Sequence, residues 1–282
     1  MTKLTLSLAD DFLDNVKIPP QPEILICVQN ELQKEHPDIN LISDNICKDG
    51  SLFSSLLRLI NSPYFGIRCE IQSIPHAISL IGVENLTTNI ACIKFRDQMK
   101  QSGYVSMPRY WDHATDMAKA CCYLSEELAI VEPHSAYALG LFYDCGIPIL
   151  SSYFDNYKEV LKEQNLECLE NYTELEDKTF NTNHCIVAYL VTKKWGLDDA
   201  LRDACRFHHD IEYITDKNWT KDQRARKLIM ILKLAEYVLH SKRNESFFEW
   251  TNIESYVLNY LGLSEHDFYE LKDELIDYLN GV

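Results

Sequence analysis

Residues 51–66 read SLFSSLLRLINSPYFG, and the spacing inside this stretch decides the fold class. Leu52, Phe53, Leu56, Leu57 and Ile60 fall at i, i+1, i+4, i+5 and i+8, one face of a helix and not the alternation of a strand. The same period recurs outward in both directions. Val83, Leu86, Ile90 and Ile93 form a stripe, as do Met117, Cys121, Leu124, Leu128 and Val131, and near the end Phe268, Leu271, Leu275 and Tyr278. No convincing period-2 segment appears, so the sequence predicts an all-α, multi-helix protein. Punctuation agrees: Asp38, Ser51, Ser73 and Asp198 are expected N-caps, Pro75 an early-turn proline, and Gly82, Gly196 and Gly262 helix stops.

The 282 residues, 46% hydrophobic and 25% charged, are enough for one large or two ordinary domains. The best break is QSGYVSMP at residues 101–108, where Gly103 and Pro108 interrupt two long helical patterns. It divides an amino-terminal helical lobe, residues 1–103, from a larger lobe, residues 104–282, that ends in acidic helices. No apolar run approaches the roughly 20 residues that cross a bilayer, and the start lacks a signal-peptide pattern. The reading is cytoplasmic, with no membrane partner.

Lys and Arg total 27 against 43 Asp and Glu, a formal charge of -16, so the overall field repels phosphate backbones and nucleic acid is excluded as a default partner. A helix-turn-helix reading of residues 43–62 fails for the same reason, since its second helix carries one base, Arg58, on a mostly apolar surface. Between Glu245 and Asp277 nine acids face one base, Lys272, which reads as a solvated helix face. Lys217, Lys221, Arg224, Arg226 and Lys227 read as local charge balance. The ten cysteines are scattered through apolar stretches without a CxxC, a pattern of buried thiols and not of a disulfide framework or a cysteine zinc site.

His113, Asp144, His184, His208, His209 and Glu236 are all metal-ligand types on or beside predicted helices. A helical core can gather such groups from several helices, but spacing alone does not show that they converge. Adjacent His208 and His209 point about 100° apart on a helix, suiting two neighbouring metals or one metal and one phosphate. His113 in YWDHATDMAKACCYLSEEL, Asp144 in ALGLFYDCG and His184 in HCIVAYLVTKKWG stand at helix ends in apolar surroundings. The other reading is a set of buried polar groups hydrogen-bonded without metal.

The order of these residues is similar to that of the HD phosphohydrolase superfamily. IPPQPEI at 18–24, the stretch at 51–66, SIPHAISLIGVENL at 73–86, ALGLFYDCG and WGLDDALRDACRFHHD at 195–210 resemble the HDOD family, the HD-related output domains, and the likeness runs from about Ile18 to about Glu236. The resemblance implies an amino-terminal helical lobe packed on an HD-like lobe. It maps His113 onto the first histidine, Asp144 onto the aspartate and Glu236 onto the late acid, with His184, His208 and His209 at additional metal positions of the HD-GYP relatives. Two positions depart from the pattern: Tyr143 replaces the histidine beside the aspartate, and Ile147 replaces a frequent lysine. A neutral phenol is a poor ligand for divalent metals, although ferric ion accepts phenolate.

The resemblance thus implies a stand-alone bacterial signal-transduction module, non-catalytic, relaying a signal through contact with an unidentified signalling protein. No cofactor is expected beyond a divalent metal or iron at a residual HD site. The alternative it implies is a metal-dependent phosphohydrolase with a rearranged site acting on a nucleotide or phosphoester. Self-association stays open. Asn61, Ser62, Pro63, Tyr64, Phe65 and Gly66 are candidate partner contacts because this polar-aromatic turn interrupts apolar helices. In the opposing reading Tyr64 and Phe65 pack between the lobes and Gly66 ends the helix.

Overall fold

Capping side chains start the first helices where the chain supplies a short oxygen. In the computed structural model, which describes residues 18–65, 67, 69–99, 105–166, 172–216 and 223–281, Asp38 accepts from the Asn40 and Leu41 amides and opens α2 (Ile39–Cys47) after α1 (Glu23–Leu32). Ser73 caps α4 (Ile74–Gln98) through the His76 amide. Ser51 is not a cap. The carboxylate of Asp49 accepts from the Leu52 amide and starts α3 at Gly50 (Gly50–Ile60), while its other oxygen is held by Lys94 of α4; a charged acceptor two residues earlier takes the orphan donor first. Gly82 lies inside α4 at φ 78° and ψ 160°, a backbone that only glycine adopts readily, so the helix breaks there and resumes at once.

The rest of the chain forms α5 (Met107–Leu128), α6 (Pro133–Phe142), α7 (Gly146–Tyr153), α8 (Tyr157–Leu166), α9 (Glu174–Phe180), α10 (His184–Lys194), α11 (Asp199–Phe207), α12 (Ile211–Thr215), α13 (Gln223–Lys242), α14 (Trp250–Leu261) and α15 (Glu265–Asn280). No strand occurs among the described residues, and no helix is long and apolar enough to cross a membrane. Helix α13 is the axis of this half, packing on α5, α6, α11, α14 and α15. It is buried nearly all round, as a central core helix must be, yet it carries Arg226, Lys233 and Glu236 inside. Helices α5 and α6 approach closely at Gly140, where a Cβ would lie 2.5 Å from the Ala118 Cα.

Apolar contact is continuous from α1 to α15. Phe95 of α4 meets Phe142 and Trp195, the Trp195 indole donates to the Pro19 carbonyl, and the Gln21 and Gln29 amides donate to the Trp195 carbonyl. Of the break expected at 101–108, residues 101–104 lie outside the described residues; α5 begins at Met107. Cys92, Cys121, Cys122, Cys145, Cys185 and Cys205 are buried thiols, whereas Cys47 and Cys69 are exposed and Cys27 is half-buried. Within the basic stretch, Lys217 and Lys221 lie outside the described residues, Arg224 pairs with Asp198 and Arg226 donates to the Ile214 carbonyl and Tyr256 hydroxyl.

The turn after α3 is bound into the chain. The Asn61 amide exchanges two hydrogen bonds of 2.7 Å with the backbone of Ile71, and the Ser62 hydroxyl donates to Leu59. Pro63 is exposed and opens a 3-10 turn. Phe65 is buried, stacked on His134 at 4.1 Å and tilted against Tyr137. The Tyr64 side chain and Gly66 lie outside the described residues.

Burial lowers the His134 pKa to about 4, and its Nδ1 accepts from the Asn89 amide at 3.1 Å. A histidine kept neutral in the fold but basic when unfolded supports stability above pH 6.5 and loses that support as pH falls toward 4. Between pH 6.5 and 5 this group alone is expected to remove about 1.5 kcal/mol of unfolding free energy. Urea unfolding at both pH values should show the drop in the natural protein and a smaller one in His134→Gln; equal drops would exclude His134 as the origin.

Candidate metal centre

Three segments bring their ends together in the carboxy-terminal half. Asp144 sits in the turn between α6 and α7. Directly after it, Gly146 lies so close to the start of α10 that a Cβ would be 2.2 Å from the His184 carbonyl oxygen. This contact sets the Asp144 turn on the first residue of α10, which Asn183 caps through the Ile186 amide. His208 and His209 follow the last residue of α11, a helix packed on both α6 and α10.

Ligand atoms of Asp144, His184, His208 and His209 all lie within 4.8 Å of one another. Asp144 Oδ1 is 3.5 Å from His184 Nε2 and 3.7 Å from His208 Nε2. The histidines are essentially buried, and Asp144 is the partly open member, its side chain 17% exposed.

Each imidazole has its Nδ1 occupied by an acceptor. His184 Nδ1 donates to Glu176 Oε2 at 2.6 Å, His208 Nδ1 to the Cys205 carbonyl at 2.8 Å, and His209 Nδ1 to Glu249 Oε2 at 2.8 Å. With the proton on Nδ1, the neutral ring presents its Nε2 lone pair, the arrangement that orients metal-binding histidines. Glu176 is itself fixed: it also accepts from the His184 amide, the Tyr157 hydroxyl at 2.5 Å and the Gln164 amide.

The charges follow from this geometry. Burial opposes ionisation of Asp144, but the close His208 ring and the charges of His184 and His208 hold its pKa at about 2. Burial likewise opposes the His208 charge, yet Cys185 and Asp144 raise its pKa to about 9. Burial, with the Lys233 charge behind it, drives His209 well below the usual histidine value. Burial opposes the His184 charge too, yet Cys185 and Glu176 raise its pKa well above the usual histidine value, so without metal the cluster is Asp144 and Glu176 paired with protonated His184 and His208 beside a neutral His209.

Three imidazoles and one carboxylate suit zinc, iron or manganese better than magnesium or calcium, which favour all-oxygen sites. The fit is supported by His184 Nε2, a buried nitrogen with no hydrogen-bond partner that faces the cluster. Asp144, His184, His208 and His209 are the residues that would hold the ion.

His113 and Glu236 stand outside this group. The Arg243 guanidinium, a donor only, sits 2.9 Å from His113 Nδ1, so that nitrogen accepts and the ring proton lies on Nε2. That Nε2 faces the Tyr143 hydroxyl at 3.1 Å. Both ring nitrogens of His113 are thus engaged by other side chains, and it is not among the residues whose ligand atoms lie within 4.8 Å of one another. Burial, then the Asp144 charge, raise the Tyr143 pKa well above 10 and keep the phenol neutral. Glu236 is engaged at 2.8 Å by the buried Lys233. Ile147 packs against the core and offers no charge.

Glu176 and Glu249 escape sequence reading. Glu176 stands in the acidic run ELEDKTF, and Glu249 is among nine acids read as a solvated face; nothing in either spacing marks the one carboxylate that turns inward.

A family model described as the HDOD domain matches residues 18–211. The chain belongs to the HDOD family. Among curated proteins this HDOD chain is 25% identical over 224 residues to an uncharacterized protein of Treponema pallidum, an overlap of 77% of the chain and 42% of the relative. It is 30% identical over 113 residues to the uncharacterized YuxH of Bacillus subtilis, covering 40% of the chain and 27% of the relative. The matches thus span less than half the length of these relatives. Among solved structures, an HDOD domain protein of unknown function from Geobacter sulfurreducens superposes with TM-score 0.63 at 21% identity over 97% of both chains. A Shewanella amazonensis protein described as a candidate metal-dependent phosphohydrolase gives 0.68 at 13% identity, again over 97% of both. A candidate signal transduction protein from Marinobacter aquaeolei gives 0.64 at 20% identity over 95% of this chain and 58% of that one. At these identities the likeness establishes the HDOD fold. Glu236, Lys233 and Glu249 all lie beyond the matched residues.

Proposed function

We propose that this HDOD chain is a cytoplasmic signal-transduction module that holds a divalent transition metal between Asp144, His184, His208 and His209, relays its state through contact with another protein and does not hydrolyse phosphoesters. The observation that carries it is the contrast between His184 and His208, whose Nε2 atoms stand 3.5 and 3.7 Å from Asp144 Oδ1 with His209 in the same cluster, and a His113 whose two ring nitrogens are engaged by Arg243 and Tyr143. A metal bound there supplies Lewis acidity, able in an enzyme to polarise water or a phosphoryl oxygen. The chain's own groups do less. Glu176, the Cys205 carbonyl and Glu249 orient the donors, and Ile147 supplies no charge to neutralise a phosphate where an HD enzyme often has lysine. The Marinobacter neighbour's description agrees with a signalling role, and the charge of -16 directs the search toward protein partners and away from nucleic acid.

A second reading, a metal-dependent phosphohydrolase, draws on the partial exposure of Asp144 and the Shewanella neighbour's description. Turnover separates the two. Protein loaded with zinc, manganese or ferrous iron is expected to cleave bis-p-nitrophenyl phosphate and cyclic dinucleotides no faster than the Asp144→Ala variant. Turnover abolished by that substitution would overturn the non-hydrolytic reading in favour of the second.

A further inference from the structure

We propose that Glu249 is the positioning residue that makes His209 a metal ligand, acting against Lys233, which imposes the opposite tautomer once Glu249 is gone. The inference rests on the metal-holding reading above and assigns a role to helices beyond the family-matched segment.

His209 Nδ1 has two charged neighbours, Glu249 Oε2 at 2.8 Å and Lys233 Nζ at 3.3 Å. They make incompatible demands. A carboxylate only accepts, so its contact places the ring proton on Nδ1 and leaves Nε2, the nitrogen not engaged by Glu249 or Lys233, with a free lone pair in the ring that belongs to the Asp144, His184 and His208 cluster. An ammonium only donates, so its contact needs the lone pair on Nδ1 and moves the proton to Nε2, where it blocks coordination. The shorter contact belongs to Glu249. Lys233 is also satisfied elsewhere, at 3.0 Å from Glu249 and 2.8 Å from Glu236, and has no need of the ring nitrogen.

Burial makes the choice binding. The side chains of Lys233, Glu249, Glu236 and His209 are 0%, 3%, 7% and 6% exposed, so water does not replace a lost partner, and Lys233 is the other hydrogen-bond partner of Nδ1 among the described residues. The partners that orient His184 and His208, namely Glu176 and Cys205, lie within residues 18–211. His209 alone among the three depends on α13 and on the residue before α14. The carboxy-terminal helices therefore complete a donor set that the family-defining segment leaves one ligand short.

Two readouts on the full chain test this, neither of them activity. Long-range proton–nitrogen correlation spectra of metal-free, 15N-histidine-labelled protein report the His209 tautomer, and titration with Zn2+ against a chelator reports affinity. The expected results are Nδ1–H in the natural protein, Nε2–H in Glu249→Leu with about 10- to 100-fold weaker Zn2+ binding, and recovery of both in Glu249→Gln, whose carbonyl oxygen still accepts. Nε2–H in the natural protein overturns the proposal, whether or not the leucine variant folds. So does a folded Glu249→Leu that keeps Nδ1–H or full Zn2+ affinity. A natural protein that shows Nδ1–H but takes up no Zn2+ refutes the metal reading, and with it the ligand role, while leaving the tautomer assignment to the spectra.

Discussion

Replacing Glu176 with alanine is expected to destabilise the protein by about 3–5 kcal/mol. The carboxylate is fully buried and accepts from His184 Nδ1, the His184 amide, Tyr157 and Gln164. Its removal strands several donors where water does not reach, and a buried donor without a partner carries its full desolvation cost. His184 also loses the group that fixes its ring, so metal affinity falls together with stability. Burial opposes the Glu176 charge, yet the His184 charge and hydrogen bond hold its pKa below the ordinary value; Glu176→Gln, which keeps an acceptor but not the charge, should recover much of the loss. Urea unfolding of the three proteins measures this. A loss under about 1 kcal/mol for alanine, the size of an ordinary exposed substitution, would mean that Glu176 does not hold this corner of the fold.

A methyl group at Gly146 should be nearly as damaging, for a steric reason. The added Cβ would stand 2.2 Å from the His184 carbonyl oxygen and 2.8 Å from its Cα and carbonyl carbon. These are backbone atoms that cannot swing aside, so α7 must lift off α10, and that movement separates Asp144 from His184. Gly146→Ala is expected to cost about 3 kcal/mol, the upper end of ordinary overpacking, and to weaken metal binding at least tenfold, roughly the effect of disturbing an orienting contact. Gly50→Ala is the matched control, because nothing lies within 4 Å of its added Cβ. Equal behaviour of the two variants would contradict the close contact.

The helical class was legible because it rests on local spacing. Leu52, Leu56 and Ile60 point into the core as their period requires, and Gly82 and Gly262 adopt the positive φ expected of helix stops. Ser51 is not a cap for an equally local reason, since Asp49 caps the helix through the Leu52 amide and starts it at Gly50, which leaves Ser51 inside the first turn. The site was legible in its donors and not in their supports. His184, His208, His209 and Asp144 stand out as ligand types in apolar surroundings, but convergence is a tertiary fact. Whether Glu249 or its acidic neighbours turn inward depends on how α13 and α14 pack, which no periodicity in the sequence records. His113 shows the converse. Its residue type is right for a ligand, and only the placement of Arg243 and Tyr143 reveals that both its ring nitrogens are already engaged.

Asp144, His184, His208 and His209 are expected to hold one metal ion, and metal content measures this. The full chain is purified without chelator or nickel resin, incubated with zinc, manganese or ferrous iron, desalted and measured by elemental mass spectrometry beside folded Asp144→Ala. The expected result is about one ion per natural chain and background in the variant. Background metal in both proteins, with the natural protein folded, would contradict it and leave the cluster a buried hydrogen-bonded network.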